Sequence, residues 1–213
     1  MARRAERLEK TASRCPGRVV LVPGDVTREA DRGRLVRTAR ERWGRVDLLV
    51  NNAGLGSYGP FLTTGQEVWE EVFKVNLFAA VSLTREVLPL MLNQDQGLIV
   101  NLASIAGLVA HSSQVVPYIA AKHALVGFSR GLARELKETG IRVKAVCPHL
   151  TDTGFFNTGP GASEMARAAD KHRDSMDTPQ EVAAGIIRKL DEEGLILFPT
   201  PAPARAWAKL KDL

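Results

Sequence analysis

The chain has 213 residues, 45% of them hydrophobic and 25% charged, a balance typical of a globular domain that excludes a disordered chain. No apolar run approaches the ~20 residues that span a bilayer, and no apolar stretch follows the basic start as in a secretory signal, so we expect no membrane partner. Cys15 and Cys147 are too few and too far apart for a disulfide framework or a CxxC metal site. The histidines show no metal-ligand spacing either, so no metal is expected. One cytoplasmic domain over residues 1–213 is therefore predicted.

The net charge of +5 is concentrated at the start of the chain, where residues 1–45 hold 13 Lys/Arg against 6 Asp/Glu. This excess lies on helix-like segments with one aromatic residue, Trp43, so there is no set of rings on which bases could stack. The pattern favours a solvated helix face and leaves an anion or phosphate contact open. We expect no nucleic-acid partner.

Short apolar runs alternate with longer amphipathic stretches along the chain, as in a βαβ architecture. The short runs are apolar nearly throughout, as parallel strands covered by helices on both faces must be. They predict five buried strands, at residues 18–26, 45–54, 97–104, 141–148 and 195–199.

The intervening stretches predict helices at about 28–43, 65–92, 113–139 and 179–193, in addition to a helix that starts at the first residue. Capping boxes at Thr64–Glu67 and Thr178–Glu181 mark two helix starts, and Gly194 marks the end of the last helix. Residues 155–177 fit neither period and are interpreted as a substrate loop. Its Phe155, Phe156 and Met165 indicate either an apolar substrate or a lid packed down by these side chains. The predicted fold class is α/β, a doubly wound parallel sheet.

Tyr118 and Lys122 are four residues apart in PYIAAKHAL, so on a helix they share one face. That spacing alone is common by chance. Here, however, a strand delivers Ser104 at its carboxyl end, where open α/β sheets bind ligands. Another strand ends in the tight turn NNAG at residues 51–54, and Asn76 lies inside an otherwise apolar helix. Ser104 as a helix cap and Asn76 as a satisfied buried polar group remain alternatives.

Together these motifs resemble the short-chain dehydrogenase/reductase family, over residues 1 to about 200. The family has a seven-stranded Rossmann sheet, and its members usually transfer a hydride between NAD(P) and a small-molecule alcohol or carbonyl. The resemblance implies a catalytic tetrad of Asn76, Ser104, Tyr118 and Lys122. It also implies a homodimer or homotetramer, because helices 65–92 and 113–139 correspond to those that pair across subunits.

The chemistry of carbonyl reduction explains these residue types, since a proton donor must lie beside the carbonyl that accepts the hydride. A free tyrosine has a pKa of about 10, and a lysine charge about 5 Å away favours the phenolate by about 3 kcal/mol. We therefore expect Lys122 to lower the pKa of Tyr118 to about 7 and, as in the family, to hold the nicotinamide ribose. Ser104 is expected to hydrogen-bond the substrate oxygen, and Asn76 to anchor a water that relays protons to Lys122.

Other cofactor contacts follow from the resemblance alone. Asp25 and Val26 match the family's adenine-binding pair, and Arg3 resembles the residue that grips the 2′-phosphate of NADP, so NADP(H) is predicted over NAD(H). His149 departs from the family pattern, because glycine is usual there, and its side chain could crowd the nicotinamide. Tyr118 and Lys122 are expected to contact the cofactor as well as to act in catalysis, and the remaining expected cofactor contacts are Asn52, Ala53, Gly54, Pro148 and Thr153.

The family's front unit has no counterpart in the sequence. No Gly-x-x-x-Gly-x-Gly occurs, so the loop that binds the pyrophosphate is absent, and the predicted strands at 19–22 and 46–50 lack their family neighbours. Either the chain is a piece of a longer enzyme or it is shortened relative to the family. Two functions follow as expectations: an NADP(H)-dependent oxidoreductase, or a non-catalytic relative that acts as a binding or oligomer partner.

Overall fold

Four parallel strands form the sheet of the computed structural model, which describes residues 1–110 and 112–211. They are β1 (Leu48–Asn51), β2 (Gly97–Leu102), β3 (Ile141–Val146) and β4 (Ile196–Leu197), and they pair in that order. The register places Val50 beside Val100, and Val146 beside Leu197. The predicted α/β class and parallel sheet are confirmed.

Helices cover both faces of this sheet. They are α1 (Ala5–Ala12), α2 (Glu29–Trp43), α3 (Gln66–Phe73), α4 (Ala79–Gln94), α5 (Val116–Glu135), α6 (Ala162–Asp170), α7 (Pro179–Lys189) and α8 (Pro201–Leu210). On one face Leu49, Ile99 and Val143 pack against Leu83, Val87 and Met91 of α4. On the other face Leu98, Val100 and Val146 pack against Ile186 of α7 and Leu190.

The strand predicted at residues 18–26 is wrong. The nearest backbone pairing in the described chain is one isolated bridge between Ala2 and Pro23, and Val19 and Val20 are 44% and 38% exposed. An apolar run becomes a strand only beside a partner, and none of the described strands lies next to this one. Leu48 and Val50 lie in β1, the edge strand of the sheet, and are also exposed, at 46% and 48%.

The predicted helix at 65–92 corresponds to one unbroken helical stretch from Gln66 to Gln94. Its middle part, Lys74–Phe78, is π-helical, and α3 and α4 lie on either side. The capping box predicted at Thr64–Glu67 is wrong, because Gly65 is the N-cap of this helix. The Thr64 hydroxyl donates to the Pro60 carbonyl at 2.8 Å. This helix has a mean hydropathy of 1.4 over its most apolar window, so its length and composition would also suit a membrane span. A helix at the centre of an α/β domain has the same character, and Leu83, Val87 and Met91 fill that role here.

The remaining boundaries differ by a few residues. The capping box at Thr178 and Glu181 is confirmed, with both reciprocal hydrogen bonds formed. Helix α7 ends at Lys189, before Gly194, whose φ of 88° instead serves the turn into β4. The segment 155–177 is not irregular throughout, because it contains α6 between two short 3-10 turns, at Gly154–Asn157 and Arg173–Ser175. Helix α8 was not predicted, because the two prolines at its start, Pro201 and Pro203, gave no helical signal.

Candidate active site

A large groove of about 1500 Å³ runs along the carboxyl ends of β1, β2 and β3. The strand ends direct NNAG and Ser104 into it, the segment after β3 contributes Pro148 and Thr153, and α5 contributes Tyr118 and Lys122. The amino-terminal segment adds Arg3, and the turn before α2 adds Asp25 and Val26. The structure thus places eleven predicted site residues along one groove: Arg3, Asp25, Val26, Asn52, Ala53, Gly54, Ser104, Tyr118, Lys122, Pro148 and Thr153.

Lys122 is fixed behind the ring of Tyr118. Its side chain is 3% exposed, and its Nζ lies 5.7 Å from the centroid of the Tyr118 ring. The same Nζ donates to the Leu102 carbonyl oxygen at 2.7 Å. The lysine is therefore held by the last residue of β2 and not by a carboxylate, which leaves its charge available to the groove.

Ser104 follows β2 in extended backbone and caps a short 3-10 turn, Ile105–Gly107. Its Oγ accepts from the Ala106 N–H at 3.1 Å, so the helix-cap alternative is correct as a local description. The hydroxyl proton remains for a second partner. Gly107 brings this turn against α5, since a Cβ there would lie 2.6 Å from the Lys122 carbonyl oxygen. Close backbone approach at Gly107 is what places Ser104 near Tyr118 and Lys122.

Asn76 lies in the π-helical segment and is 1% exposed. Its Nδ2 donates to the carbonyl oxygens of Leu55 and Val72 at 2.8 and 2.9 Å, and its Oδ1 accepts from the Leu55 N–H at 3.2 Å. The amide thus fixes the loop after β1, as a satisfied buried polar group would. A Cβ on Gly54 would lie 3.3 Å from Asn76 Oδ1 and 3.7 Å from Lys122 Nζ, so glycine keeps space open beside the lysine.

The electrostatics of the tyrosine and the lysine differ from the prediction. Burial raises the pKa of Tyr118 to about 12, and a hydrogen bond with Ser104 offsets part of that rise. Burial lowers the pKa of Lys122 to about 8. The expected lowering of the Tyr118 pKa to about 7 is wrong for this arrangement, because burial disfavours the phenolate more than the Ser104 hydrogen bond favours it.

The far end of the groove is the predicted adenosine end. The Asp25 carboxylate accepts from the backbone N–H and the hydroxyl of Thr27, at 2.9 and 2.8 Å. Burial raises the pKa of Asp25, but the Thr27 hydrogen bonds and the charges of Arg3 and Lys74 outweigh burial and keep it below its ordinary value. Arg3 lies beside this turn because the Gly24 N–H donates to the Ala2 carbonyl at 3.1 Å.

The segment after β3, from Thr153 to the end of α6 at Asp170, packs over Tyr118 and is called the lid below. The Phe155 ring lies 5.5 Å from the Tyr118 ring and 5.6 Å from that of Phe156. A Cβ on Gly56 would lie 2.8 Å from Met165 Sδ, so the lid packs tightly on the loop after β1. These side chains thus pack the lid, and because Phe155, Phe156 and Met165 also line the groove, an apolar substrate remains the other interpretation.

Two further observations concern residues around the lid. Thr153 Oγ1 accepts from the Phe155 N–H at 3.2 Å and so starts the lid. His149 lines the groove and is not among the described non-glycine residues with positive φ, so its side chain is accepted without backbone strain.

The sequence did not single out Ser57 and Gln114, which line a smaller cavity beside the lid. Serine in a glycine-rich loop gives no sequence signal that separates it from an ordinary turn residue. The prediction for a metal concerned four histidines, of which His111 lies outside the described residues. In the described part of the chain no group of three His, Cys, Asp or Glu side chains could hold a metal ion.

Comparisons with a family model, with curated proteins and with solved structures all point to the same family. The sequence model of the short chain dehydrogenase family matches residues 1–160. The granaticin polyketide synthase putative ketoacyl reductase 1 of Streptomyces violaceoruber is 40% identical over 159 residues, which are 71% of this chain and 57% of that protein. The chain therefore spans little more than half the length of this curated relative.

Solved structures extend the likeness to most of the chain. L-sorbose reductase from Gluconobacter frateurii, complexed with NADPH and L-sorbose, has a TM-score of 0.79 and 27% identity, covering 92% of this chain and 82% of that one. A short chain dehydrogenase/reductase from Burkholderia phymatum in complex with NAD has a TM-score of 0.82 and 26% identity, covering 94% and 78%. By its sequence match and its fold, the chain belongs to the short chain dehydrogenase family.

Proposed function

We propose that this protein is an oxidoreductase that transfers a hydride between NADP(H) and a small carbonyl or alcohol substrate, with Tyr118 as the acid/base. The observation that carries the proposal is the convergence of Tyr118, Lys122 and Ser104 in the groove, where the Phe155 ring packs against Tyr118. A phenol, an ammonium and a hydroxyl at one point can protonate and orient a carbonyl oxygen.

The described residues fit a dinucleotide in part. Gly54 leaves open the space beside Lys122 that a Cβ would fill, and Asp25 with Val26 and Arg3 lines the opposite end of the groove. Arg4 and Arg7 also line the groove and add positive charge to it. These arginines complement a pyrophosphate by charge, although the sequence holds no glycine-rich loop to bind it through backbone N–H groups.

When bound, the nicotinamide would supply or accept the hydride; the protein's own groups handle the proton. With a pKa of about 12, Tyr118 is a neutral phenol at physiological pH and is ready to donate from its Oη to a carbonyl oxygen. The hydroxyl of Ser104 accepts from Ala106, so its own proton can point at the same oxygen. Lys122, held on Leu102, stabilises the phenolate that remains. Phe155 excludes water from the oxygen being protonated.

Asn76 positions the loop after β1 beside Lys122. Its three hydrogen bonds to Leu55 and Val72 hold the loop that keeps Gly54 beside Lys122. A water held near Asn76 would extend the proton path to Lys122, as the resemblance implies. Because π-helical segments are frequent at functional sites, the local geometry supports this role.

The preference for NADP(H) over NAD(H) rests on Arg3. A guanidinium beside Asp25 suits a 2′-phosphate, which it can hold with two hydrogen bonds. The two ligand-bound neighbours carry NADPH and NAD respectively, so the family fold alone does not decide the cofactor. We expect Arg3→Gln to reduce the ratio of NADPH to NADH efficiency by at least about tenfold, as the loss of a charge-assisted pair would.

A homodimer or homotetramer is the proposed assembly. Phe78 and Leu92, on the continuous helix 66–94, are 56% and 45% exposed, and Val116 at the start of α5 is 37% exposed. These side chains would be covered by a second subunit. Cys15 and Cys147 are both free, which suits the reducing cytoplasm.

The test of the reaction is a Tyr118→Phe variant assayed with NADPH and a panel of ketones. We expect turnover to fall by about 10²-fold or more, because the proton donor is gone, while cofactor binding is retained and the unfolding midpoint is unchanged. Turnover equal to that of the wild type would remove Tyr118 from the mechanism. A wild-type protein that binds no cofactor would favour the non-catalytic alternative.

A further inference from the structure

Ser57 carries a buried hydroxyl without a hydrogen-bond partner. The residue is 2% exposed, and among the described residues its Oγ is one of two buried side-chain polar atoms left unpaired. The other, Glu86 Oε2, belongs to a carboxylate whose second oxygen already pairs with Arg32 at 2.8 Å. An unpaired buried hydroxyl costs about 1–3 kcal/mol, so a protein that keeps one has a use for it.

The place of Ser57 indicates that use. It lines the large groove that holds Tyr118, and it also lines a second cavity of about 350 Å³. Pro117, the residue before Tyr118, lines the second cavity as well. The two cavities therefore share Ser57 in their walls, and the second one lies against the residue that precedes Tyr118.

The wall of the second cavity contains one residue with a strained backbone and several close backbone contacts. Gln114 has a φ of 63°, which is costly for a residue with a side chain, and its carbonyl accepts from the Gly59 N–H at 2.8 Å. The lid docks here too, because the Tyr58 N–H donates to the Pro160 carbonyl at 3.0 Å. A Cβ on Gly161 would lie 1.9 Å from the Tyr58 carbonyl oxygen, so this contact needs glycine. Residues of the lid thus form one wall of the cavity.

The chemistry of the lining selects a neutral polar ligand. Tyr58, Thr63, Thr64 and Gln114 contribute hydroxyl and amide groups, and no lysine or arginine is among the described lining residues. The lining carboxylate, Glu164, forms an ion pair with Arg167 at 3.0 Å. A carboxylate or phosphate on the ligand would find no compensating charge, whereas a hydroxyl or carbonyl would find Ser57 as donor or acceptor.

We propose that Ser57 and the second cavity form a specificity subsite that binds a second, neutral polar group of the substrate, at a distance from the carbonyl that Tyr118 protonates. The proposal rests on the proposed function, since it takes the reacting carbonyl to lie at Tyr118. The substrate class is then a carbonyl or alcohol compound with a hydroxyl or carbonyl elsewhere on its chain, and not a plain hydrocarbon ketone.

The experiment compares matched ketones on the wild-type protein and on Ser57→Ala. One series consists of methyl ketones with a terminal hydroxyl on chains of increasing length, and the other has methyl in place of that hydroxyl. At the chain length that reaches Ser57, the wild type should favour the hydroxyl-terminated ketone by about three- to tenfold in kcat/KM, the value of one neutral hydrogen bond. Ser57→Ala should lose this preference and keep its efficiency toward the methyl-terminated ketone.

Two controls separate recognition from structure. Ser163→Ala removes the same hydroxyl from an exposed position on α6 and should leave the preference unchanged. Because the Ser57 hydroxyl has no partner within the protein, Ser57→Ala should unfold at the same temperature as the wild type or higher. Equal losses toward both ketone series, or a fall in the unfolding midpoint, would show a structural role and overturn the proposal. Absence of any hydroxyl preference in the wild type at every chain length would also overturn it.

A binding measurement distinguishes failure of the subsite from failure of the reaction. Ligand-observed NMR with the corresponding diols and simple alcohols needs no turnover. If no ketone is reduced but the diols bind better than the alcohols, and Ser57→Ala removes the difference, the subsite stands and the proposed reaction fails. If diols and alcohols bind alike, the subsite is refuted whether or not the ketones are reduced.

Discussion

Replacing Lys122 with methionine tests the electrostatics of the site through protein stability. The lysine is 3% exposed, its hydrogen-bond partner is the Leu102 carbonyl, and burial lowers its pKa from 10.5 to about 8. The charged form is therefore disfavoured in the folded protein by about 3 kcal/mol, at 1.36 kcal/mol per pKa unit. Lys122→Met removes that cost at neutral pH but leaves the Leu102 carbonyl unpaired, at about 1–3 kcal/mol. We expect a variant without activity and with near wild-type or slightly higher stability.

The pH dependence of the stability difference between the two proteins is the sharper measurement, because the cost of the unpaired Leu102 carbonyl does not change with pH. Between a pH of about 8 and 10.5 the unfolded chain binds more protons at Lys122 than the folded chain does, so wild-type stability rises with pH in this window. From about pH 7 to about pH 9.5, urea unfolding should show the wild type gaining about 2 kcal/mol relative to Lys122→Met. A difference between the two proteins that stays constant over this range would refute the low lysine pKa and the proton account built on it.

Three further substitutions test the lid, the core and a helix cap. Gly56→Ala places a Cβ 2.8 Å from Met165 Sδ, and by displacing the lid it should raise the substrate KM by about tenfold, with kcat less affected, in steady-state kinetics. Asn101→Ala removes a fully buried amide that accepts from Asn51 Nδ2 at 2.8 Å and donates to the Ser129 hydroxyl at 2.9 Å, so urea unfolding should show a loss of about 2–3 kcal/mol; a loss below about 0.5 kcal/mol would contradict the network. Thr178→Ala removes the cap of α7 and should lower stability by about 1 kcal/mol in the same assay, and an unchanged midpoint would show that the cap is dispensable.

The sequence predicted the part of the fold in which each apolar run has a neighbour. The runs around Val50, Val100 and Val146 form adjacent parallel strands, as their composition requires. The run at 18–26 has the same composition but forms no strand, because pairing depends on a partner that composition does not encode. Thr64 is not the cap because the helix begins one residue later, with Gly65 at the cap position, and the Thr64 hydroxyl donates to the Pro60 carbonyl.

The site was predictable where a short spacing or a strand end determines position. The four-residue spacing of Tyr118 and Lys122 and the strand end at Ser104, together with the family resemblance, predicted side chains that the structure brings to one groove. The tyrosine pKa was not predictable, because it depends on burial contributed by distant segments such as the lid. The same holds for Ser57, whose unpaired hydroxyl is visible only once the surrounding loops are placed.

The central claim is that this chain binds a nicotinamide dinucleotide along the groove between Arg3 and Tyr118. Its most direct test is a titration of the 213-residue protein with NADPH, monitored by the fluorescence of the reduced nicotinamide. We predict saturable binding that weakens on Arg3→Gln and is retained by Tyr118→Phe. Absence of binding by the wild-type protein at millimolar NADPH would contradict the claim, and the non-catalytic alternative would then take its place.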